Sequence, residues 1–219
     1  MSKRCPSYFL KVLGVLVFPL AVVALTASSG SAATTAPASA GAKTPTFFGA
    51  KLTNQSQPSN AQNGQSCDES AGIGPGATCT WVAITAFENG SHFTAPTTGT
   101  IEHVKLVSCV AGKFRLQLAQ AKPSSDKAKI VANGPEITYA GQSPCGGENG
   151  DHYIVQSFRV HLRVAKGDYI AIKAASTGTL SCSGGDGFLL YAPPLPVGSG
   201  FKTSHSGASC DLLVQLSYK

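Results

Sequence analysis

Basic side chains recur at every second position in one stretch of this chain. Arg159, His161 and Arg163 alternate with apolar residues, and Arg115 stands in a second alternating stretch at 112–121. The arginine fork pairs with carboxylate or phosphate at two points. If the two stretches lie in one sheet, these four residues form a cationic patch suited to carboxylates, phosphates or an anionic polysaccharide. A solvated sheet face is the simpler alternative, because alternation alone produces such rows.

Seven cysteines are the second feature with chemical meaning. Cys5 lies in an N-terminal segment that we expect to be removed, which leaves six. An even number of cysteines in an exported chain indicates disulfides, and neighbour order suggests the pairs Cys67–Cys79, Cys109–Cys145 and Cys182–Cys210. The alternative is a zinc site, but the chain has no CxxC motif, and its nearest Cys/His pair is His205 with Cys210. We therefore expect three disulfides.

Motifs for catalysis or metal binding are weak. The chain contains no G-x-S-x-G elbow, no HExxH and no phosphate-binding glycine loop. His152 stands beside Glu148 and Asp151, which could form part of a catalytic site, and the two acids could hold a loop calcium ion. A polar turn explains the same residues. We predict no cofactor, keep Glu148 and Asp151 as a weak metal alternative, and lean towards a protein that is not an enzyme.

Residues 153–173 are the stretch that would position the basic row. Phe158, Val160 and Leu162 share one parity, and the basic residues take the other. Because strand side chains point to opposite faces in turn, this pattern predicts a long strand with one buried and one exposed face. A turn follows at Gly167, which can adopt positive φ. A second short strand then completes a predicted antiparallel hairpin.

The rest of the chain also favours strands. There are nine strand candidates, at residues 78–85, 99–109, 112–121, 127–132, 136–140, 153–164, 169–173, 187–191 and 211–218. Turn signals separate most of them, and no stretch has a convincing helical period. A sheet with one apolar face needs a second layer to cover it. We predict an all-β, two-sheet, jelly-roll-like antiparallel sandwich of about eight or nine strands, stapled by three disulfides.

The N-terminus has the three parts of a secretory signal peptide. Basic residues up to Lys11 precede an apolar run at 12–25, and small residues end at Ala33. The apolar run is shorter than the ~20 residues that a membrane-spanning helix needs. The expected organisation is a signal peptide at 1–33, a flexible Ala/Thr/Pro/Ser-rich leader at 34–46 and a single sandwich domain at 47–219. We expect a secreted protein with no membrane span after signal removal.

Composition and charge narrow the range of partners. Only 13% of the 219 residues are charged, about half of the usual ~25%, which suits an extracellular β-protein. Of the 17 basic residues, Lys3, Arg4 and Lys11 lie in the predicted signal, so 14 basic and 11 acidic residues remain, a net charge of +3. Because the chain has no run of Lys or Arg, nucleic acid is not a predicted partner.

Several segments resemble a group of uncharacterised secreted bacterial β-sandwich proteins. They read CTWVAI, APTTGTIEHVKL, FRLQLAQA, VAKGDYIAIKA and LLVQLSYK, all within residues 67–219. The resemblance implies export and a disulfide-stapled sandwich fold. It brings no activity and no site residue.

These observations together predict a secreted, non-catalytic module that binds carbohydrate or an anionic cell-surface polymer, by analogy from fold. Exposed aromatic side chains would favour carbohydrate, and the candidates are Trp81, Tyr153, Tyr169 and Tyr191. The first alternative is a secreted hydrolase or lyase that acts on polysaccharide, with a loop-built cleft uniting His152 or His205 with two acids. The second is a structural envelope protein.

Overall fold

Nearly all of the regular structure among the described residues is β-strand, as the alternating patterns predict. The computed structural model describes residues 46–52, 67, 77–85, 93–142, 154–174 and 182–219, with the backbone alone at 182–186 and 208–211. These residues belong to one compact unit, Ala42–Lys219, and their strands form two antiparallel sheets. A 3-10 turn at Pro123–Ser125 connects two of the strands.

The smaller sheet has four strands and the larger has seven. The four are β1 (Thr46–Gly49), β3 (Gly99–Leu106), β6 (Gln156–Val164) and β11 (Val214–Tyr218), in the order β1-β11-β3-β6. The seven are β2 (Cys79–Ala83), β4 (Gly112–Lys122), β5 (Lys127–Tyr139), β7 (Tyr169–Ala174), β8 (Cys182–Tyr191), β9 (Lys202–Thr203) and β10 (Ser206–Leu212), in the order β10-β8-β2-β7-β4-β5-β9. The described strands outnumber the predicted eight or nine because β1, β9 and most of β10 lie in segments without clear alternation.

One apolar cluster takes side chains from both sheets. Ile101 and Leu216 come from the four-stranded sheet, and Trp81, Leu116 and Phe188 from the seven-stranded sheet. The Trp81 and Phe188 rings stack with centroids 5.1 Å apart. Since these side chains are almost fully buried, the two sheets share a common core, and the other face of each sheet is its outer face.

The outer face of the seven-stranded sheet is covered as well. Residues 192–197, which we call the strap, cross it after β8, and Leu195 packs there against Val82, Ala119 and Ala171. Three prolines keep the strap out of the sheet ladder, because proline has no N–H to donate. The result is a second apolar cluster on the side of this sheet that faces away from the shared core.

A chain of hydrogen bonds satisfies the polar groups under the strap. The Leu195 N–H donates to Thr80 Oγ1 (3.1 Å), and the Thr80 hydroxyl donates to Gln117 Oε1 (3.1 Å). The Gln117 amide then donates to Asn133 Oδ1 (2.8 Å). Alternation places Gln117 on a polar outer face, yet it is only 1% exposed. Its burial is tolerated because each of its amide atoms has a partner.

The predicted hairpin of β6 and β7 is wrong. β6 pairs with β3 in the four-stranded sheet, whereas β7 pairs with β2 and β4 in the seven-stranded sheet. The turn between them forms hydrogen bonds with Ala95, which precedes β3. Gly167 N–H donates to Ala95 O (2.8 Å), and Ala95 N–H donates to Asp168 O (2.9 Å). The chain therefore crosses between sheets here. Alternation identifies the buried face of a strand, not its lateral neighbour.

The faces of β6 follow the predicted parity. Phe158, Val160 and Leu162 pack against the shared core, although they are half-buried rather than fully buried. The reason is that β6 is the edge strand of its sheet. The intervening residues Arg159 and His161 are exposed.

The ends of β5 and β6 are joined by two side-chain amides. The Gln142 amide exchanges two hydrogen bonds with the backbone of Ile154 (2.7 and 2.8 Å), and the Gln156 amide does the same with Ala140 (2.8 and 3.0 Å). These four hydrogen bonds have the pattern of backbone pairing in a sheet, although they join segments next to strands of different sheets. They tie the beginning of β6 to the segment that follows β5.

Candidate functional site

The outer face of the four-stranded sheet carries a concentration of basic side chains. Arg159, His161 and Arg163 project from β6 and are exposed. Their neighbour β3 places His103 opposite Arg159 and Lys105 opposite Ser157, both half-buried. We call the set of Lys105, His103, Arg159, His161 and Arg163 the basic face.

A β-bulge sets the arrangement of side chains along β3. The register shifts at Glu102 against both neighbouring strands: Glu102 is an extra residue in the ladder with β11, whereas Val160 and His161 of β6 together stand opposite it. Its carboxylate pairs with Lys219 Nζ at 2.8 Å. Glu102 is the one acidic residue in the four strands of this sheet. The basic face therefore has no further carboxylate of its own sheet to neutralise it.

Two depressions meet at the edge strand β6. One, of about 370 Å³, lies over β3 and β6 and is lined by Glu102, His103, Arg159, His161 and Lys219. The other, of about 640 Å³, lies between β6 and residues 133–135 of β5. Arg159, Val160 and His161 line both. A ligand extended across β6 could therefore contact the same arginine and histidine from both sides.

Gly134 allows β5 to approach β6 closely at the second depression. A Cβ on Gly134 would lie 3.1 Å from Leu162 Cδ2 and 3.2 Å from Leu116 Cβ, which is tighter than ordinary van der Waals contact. A side chain at this position would require Leu162 or Leu116 to shift by a few tenths of an ångström.

Arg115 does not belong to the basic face. It lies on β4 of the seven-stranded sheet, opposite Lys173 of β7 and Glu136 of β5. Its Nη1 donates to Gly134 O (3.3 Å). The predicted patch of Arg115 with Arg159, His161 and Arg163 required their strands to share a sheet, and they do not. Arg115 instead borders a separate depression of about 310 Å³ with Lys113.

His103 and Lys105 were missed as partners of the β6 row. Their strand is readable from the sequence, and so is the outward position of His103. The pairing of β3 with β6 is not, because about 50 residues separate the two strands and no local pattern specifies such a contact.

The candidate aromatic residues do not form an exposed platform. Trp81 is fully buried and Tyr191 is 2% exposed, because both lie in the apolar clusters on either side of the seven-stranded sheet. Tyr169 is half-buried, with its ring 5.8 Å from that of Phe93. Tyr153 lies outside the described residues. Phe47, which is 40% exposed, is the aromatic residue on the outer side of the four-stranded sheet.

The two histidines considered for catalysis are only partly described. His205 lines a groove of about 450 Å³ with the strap, and the described lining of that groove includes no carboxylate. His152, Glu148 and Asp151 fall outside the described residues. No group of three His, Cys, Asp or Glu residues that could hold a metal ion occurs in the described part of the chain.

One disulfide is described in full. Cys67 and Cys79 are bonded, with their Cα atoms 5.6 Å apart and both side chains buried, which is the pairing that neighbour order predicts. Cys109 is also disulfide-bonded, and its predicted partner Cys145 lies outside the described residues.

The remaining predicted pair lies on two adjacent strands. Cys182 and Cys210 belong to β8 and β10, where Cys182 stands opposite Leu212 and Cys210 opposite Gly184. The two cysteines are therefore diagonal neighbours across the ladder. Their side chains are among those not described.

Comparison with models of protein families, with curated proteins and with solved structures finds no match for this chain. The described residues include no helix with the length and hydrophobicity of a bilayer-spanning segment. The geometry of the described surfaces is therefore what indicates a function.

Proposed function

We propose that this protein is a secreted, non-catalytic sandwich module that binds an anionic cell-surface polymer through its basic face. The observation that carries the proposal is the pairing of β3 with β6, which places five basic side chains on one open sheet face. The one acid of that sheet, Glu102, is already paired with Lys219. A polymer that bears carboxylate or phosphate groups complements this surface in charge.

The spacing of the basic face favours a ligand with repeated charges. Residues two apart on a strand are about 6.8 Å apart, so Arg159, His161 and Arg163 form a row of about 14 Å. Exposed ion pairs contribute only about 0–1 kcal/mol each, so useful affinity requires several contacts at once. A polymer supplies them, whereas a single small anion meets one or two.

The described residues favour an anionic polymer over a neutral glycan as the ligand of the basic face. Neutral sugars are commonly held by stacking on exposed aromatic rings, and Trp81 and Tyr191 are buried. The alternatives of a polysaccharide hydrolase or lyase and of a structural envelope protein are not favoured by a particular described contact. The hydrolase alternative depends on a cleft that unites His152 or His205 with two acids, and His152, Glu148 and Asp151 are not described.

The proposed module is a jelly roll. The strand order supports this. If β8, β9 and β10 are set aside, eight strands remain in two sets of four, β1-β11-β3-β6 and β2-β7-β4-β5. Along the chain β1, β3, β6 and β11 alternate with strands of the other sheet, which is the pattern of a double Greek key. β8, β9 and β10 then extend the second set at both edges.

Secretion and three disulfides complete the proposal. The tripartite N-terminus and the even number of remaining cysteines support it, together with the bonded state of Cys67, Cys79 and Cys109. Intact-mass analysis of secreted protein, with and without alkylation, tests it. We expect a chain that begins near Thr34 and has no free thiol, and a retained N-terminus or an alkylated cysteine would contradict this.

The binding function is tested by retention at low salt on two columns, polygalacturonate and poly(glycerol phosphate). The variant Arg159→Gln/Arg163→Gln should elute earlier than the native protein from at least one of them. The matched control is Arg115→Gln/Lys173→Gln, which removes the same charge from the other sheet. The elution of this control should change much less. Retention of the native protein should fall as salt rises, because screening shortens the reach of the charges to about 10 Å at 0.1 M. Equal shifts for the two variants would reject the basic face as the binding site.

A further inference from the structure

The hairpin of β4 and β5 extends beyond the rest of its sheet. Pairing between β4 and β7 ends at Ala119 opposite Tyr169, whereas β4 and β5 continue to pair as far as Lys122 opposite Lys127. The two-residue strand β9 then adds to the outer side, with Lys202 opposite Ala128. This overhang is a three-stranded tip that is separate from the basic face.

Four lysines converge on the tip. Lys122, Lys127 and Lys202 are exposed and Lys129 is half-buried. We call these four residues the lysine tip. The ammonium groups of Lys122 and Lys129 lie 4.5 and 5.1 Å from the centroid of the Phe201 ring. None of the four forms an ion pair with another residue in the part of the chain that the structure describes.

Like charges face each other in the tip. Lys122 and Lys127 stand directly opposite each other, and like charges in that position destabilise a strand pair. The acid within the tip is Asp126, whose backbone carbonyl, rather than its carboxylate, accepts hydrogen bonds from Ser204 N and Tyr191 Oη. Contact with the face of the Phe201 ring holds two ammonium groups in place and leaves their other N–H donors free.

We propose that the lysine tip is a second anion site, which binds phosphate groups of an oligophosphate or of a phosphate-bearing polymer. The choice of phosphate follows from the residue type. Lysine is a compact point charge with three donors and suits a tetrahedral, highly charged group, whereas planar carboxylates are better matched by the arginine fork. The tip contains four lysines and no arginine, while the basic face contains two arginines. The proposal does not depend on the function of the basic face.

The test is a titration of the folded, secreted protein with sodium tripolyphosphate at low salt, followed by amide resonances and by calorimetry. Resonances of residues 127–129 and 201–203 should move. The variant Lys122→Gln/Lys127→Gln/Lys129→Gln should bind at least about tenfold more weakly, because several charge-assisted contacts are lost together. Lys122 and Lys127 are exposed and Lys129 is half-buried, so the fold should be retained, as a thermal melt would check.

Two controls separate the tip from general positive charge. The variant Lys51→Gln/Lys113→Gln/Lys173→Gln removes the same number of exposed charges elsewhere and should change affinity by less than about threefold, which is the expected scale for screened, distant charges. Arg159→Gln/Arg163→Gln should leave the tip resonances responsive. Equal weakening by the two lysine variants would overturn the proposal.

A second set of titrations identifies the source of the phosphate. If tripolyphosphate moves the tip resonances, a free oligophosphate is a sufficient ligand. If only a long polyphosphate chain moves them, the ligand is a polymer. Either outcome supports a phosphate site, and no movement at residues 127–129 and 201–203 with either probe overturns it.

Discussion

The outer faces of the two sheets differ in a way that decides where a ligand can bind. On the seven-stranded sheet the strap and its apolar cluster cover the centre of the outer face, so that Thr80 and Gln117 are almost fully buried. On the four-stranded sheet the corresponding face is open and carries Arg159 and Arg163. Each sheet contributes its inner face to the same core, but among the described residues only the four-stranded sheet has a large uncovered outer face. This contrast is why the basic face, and not Arg115, is the candidate site.

One continuous segment of the chain produces this difference between the two outer faces. Between β7 and β11 the chain forms β8, the strap, β9 and β10. All of these additions lie on or beside the seven-stranded sheet. The four-stranded sheet receives no corresponding segment among the described residues, so the basic side chains of β6 stay exposed. Gln215 of β11, which is 8% exposed, is covered and donates to Ala50 O (2.9 Å).

The largest effect on stability should come from Leu195, which anchors the strap to the outer face of the seven-stranded sheet. Leu195→Ala should lower the free energy of unfolding by about 2–5 kcal/mol, because it leaves a cavity over the outer face. Leu195 is 6% exposed, whereas Val197 in the same strap is 45% exposed. Val197→Ala should therefore cost within about 0.5 kcal/mol. Denaturant melts measure both, and similar losses would mean that the strap does not cover an apolar face.

The next effect should come from the hydrogen-bond chain beneath the strap. Thr80→Val keeps the shape of the side chain but leaves the Leu195 N–H and Gln117 Oε1 without the Thr80 hydroxyl. Leaving buried polar groups unpaired should lower the free energy of unfolding by about 1–3 kcal/mol. Thr138→Val, at an exposed position of β5, is the control and should be nearly neutral in the same melts. A neutral Thr80→Val would show that the chain does not hold the strap.

The sequence predicts the faces of individual strands well, because alternation is local. Phe114, Leu116 and Leu118 of β4 are buried in the shared core as their parity indicates, and so are Leu216 and Tyr218 of β11. The class of fold follows from the same pattern. Neither result requires knowledge of which strands are neighbours.

Features that depend on distant segments could not be predicted. Gln117 looks like an exposed polar residue, and the strap that buries it follows about 75 residues later. Asn133-Gly134-Pro135 looks like a turn between two strands, yet β5 runs through it as one strand of 13 residues with register shifts against β4. Arg115 would join the basic row of β6 only if β4 and β6 lay in one sheet, and no local pattern specifies which strands are neighbours. The candidate site was therefore predicted for three of its residues and missed for His103 and Lys105.

A smaller, pH-dependent effect should appear where the chain crosses from the open sheet to the covered one. Asp168 is 4% exposed, and burial raises the pKa of its carboxyl above the ordinary 3.8, against the opposing effect of the hydrogen bond that Oδ2 accepts from Ala165 N. A raised pKa means that the folded state holds the proton more tightly than the unfolded state. The stability contributed by the neutral carboxyl is complete below pH 3.8 and is lost as pH rises through the higher folded-state value.

Asp168→Asn isolates that contribution, because Asn keeps an oxygen that can accept from Ala165 N and has no proton to lose. The variant should gain stability relative to the native protein as pH is raised from about 3 to 7. Asp168→Ala lacks the acceptor and should be less stable than Asp168→Asn at every pH, since it leaves the Ala165 N–H unpaired. Melts across this pH range measure the difference. If the stability of Asp168→Asn relative to the native protein fell with rising pH, folding would lower the pKa of Asp168 rather than raise it.

The smallest effect on stability comes from the acid on the basic face, and it tests the comparison most directly. Glu102 and Glu136 are each paired with a lysine at the surface, Glu102 with Lys219 at 2.8 Å and Glu136 with Lys113 at 3.8 Å. Exposed pairs of this kind contribute about 0–1 kcal/mol, so Glu102→Gln and Glu136→Gln should both leave the free energy of unfolding nearly unchanged.

The two variants should nevertheless differ in binding. Glu102→Gln removes the one carboxylate from the sheet that carries the basic face and releases Lys219 to a polyanion, so retention on an anionic-polymer column should increase. Glu136→Gln raises the net charge by the same amount, but beside Arg115 on the other sheet, and should change retention less. Elution at matched low salt compares the two directly. If Glu136→Gln increased retention as much as Glu102→Gln, binding would follow net charge alone, and the open outer face would have no special role.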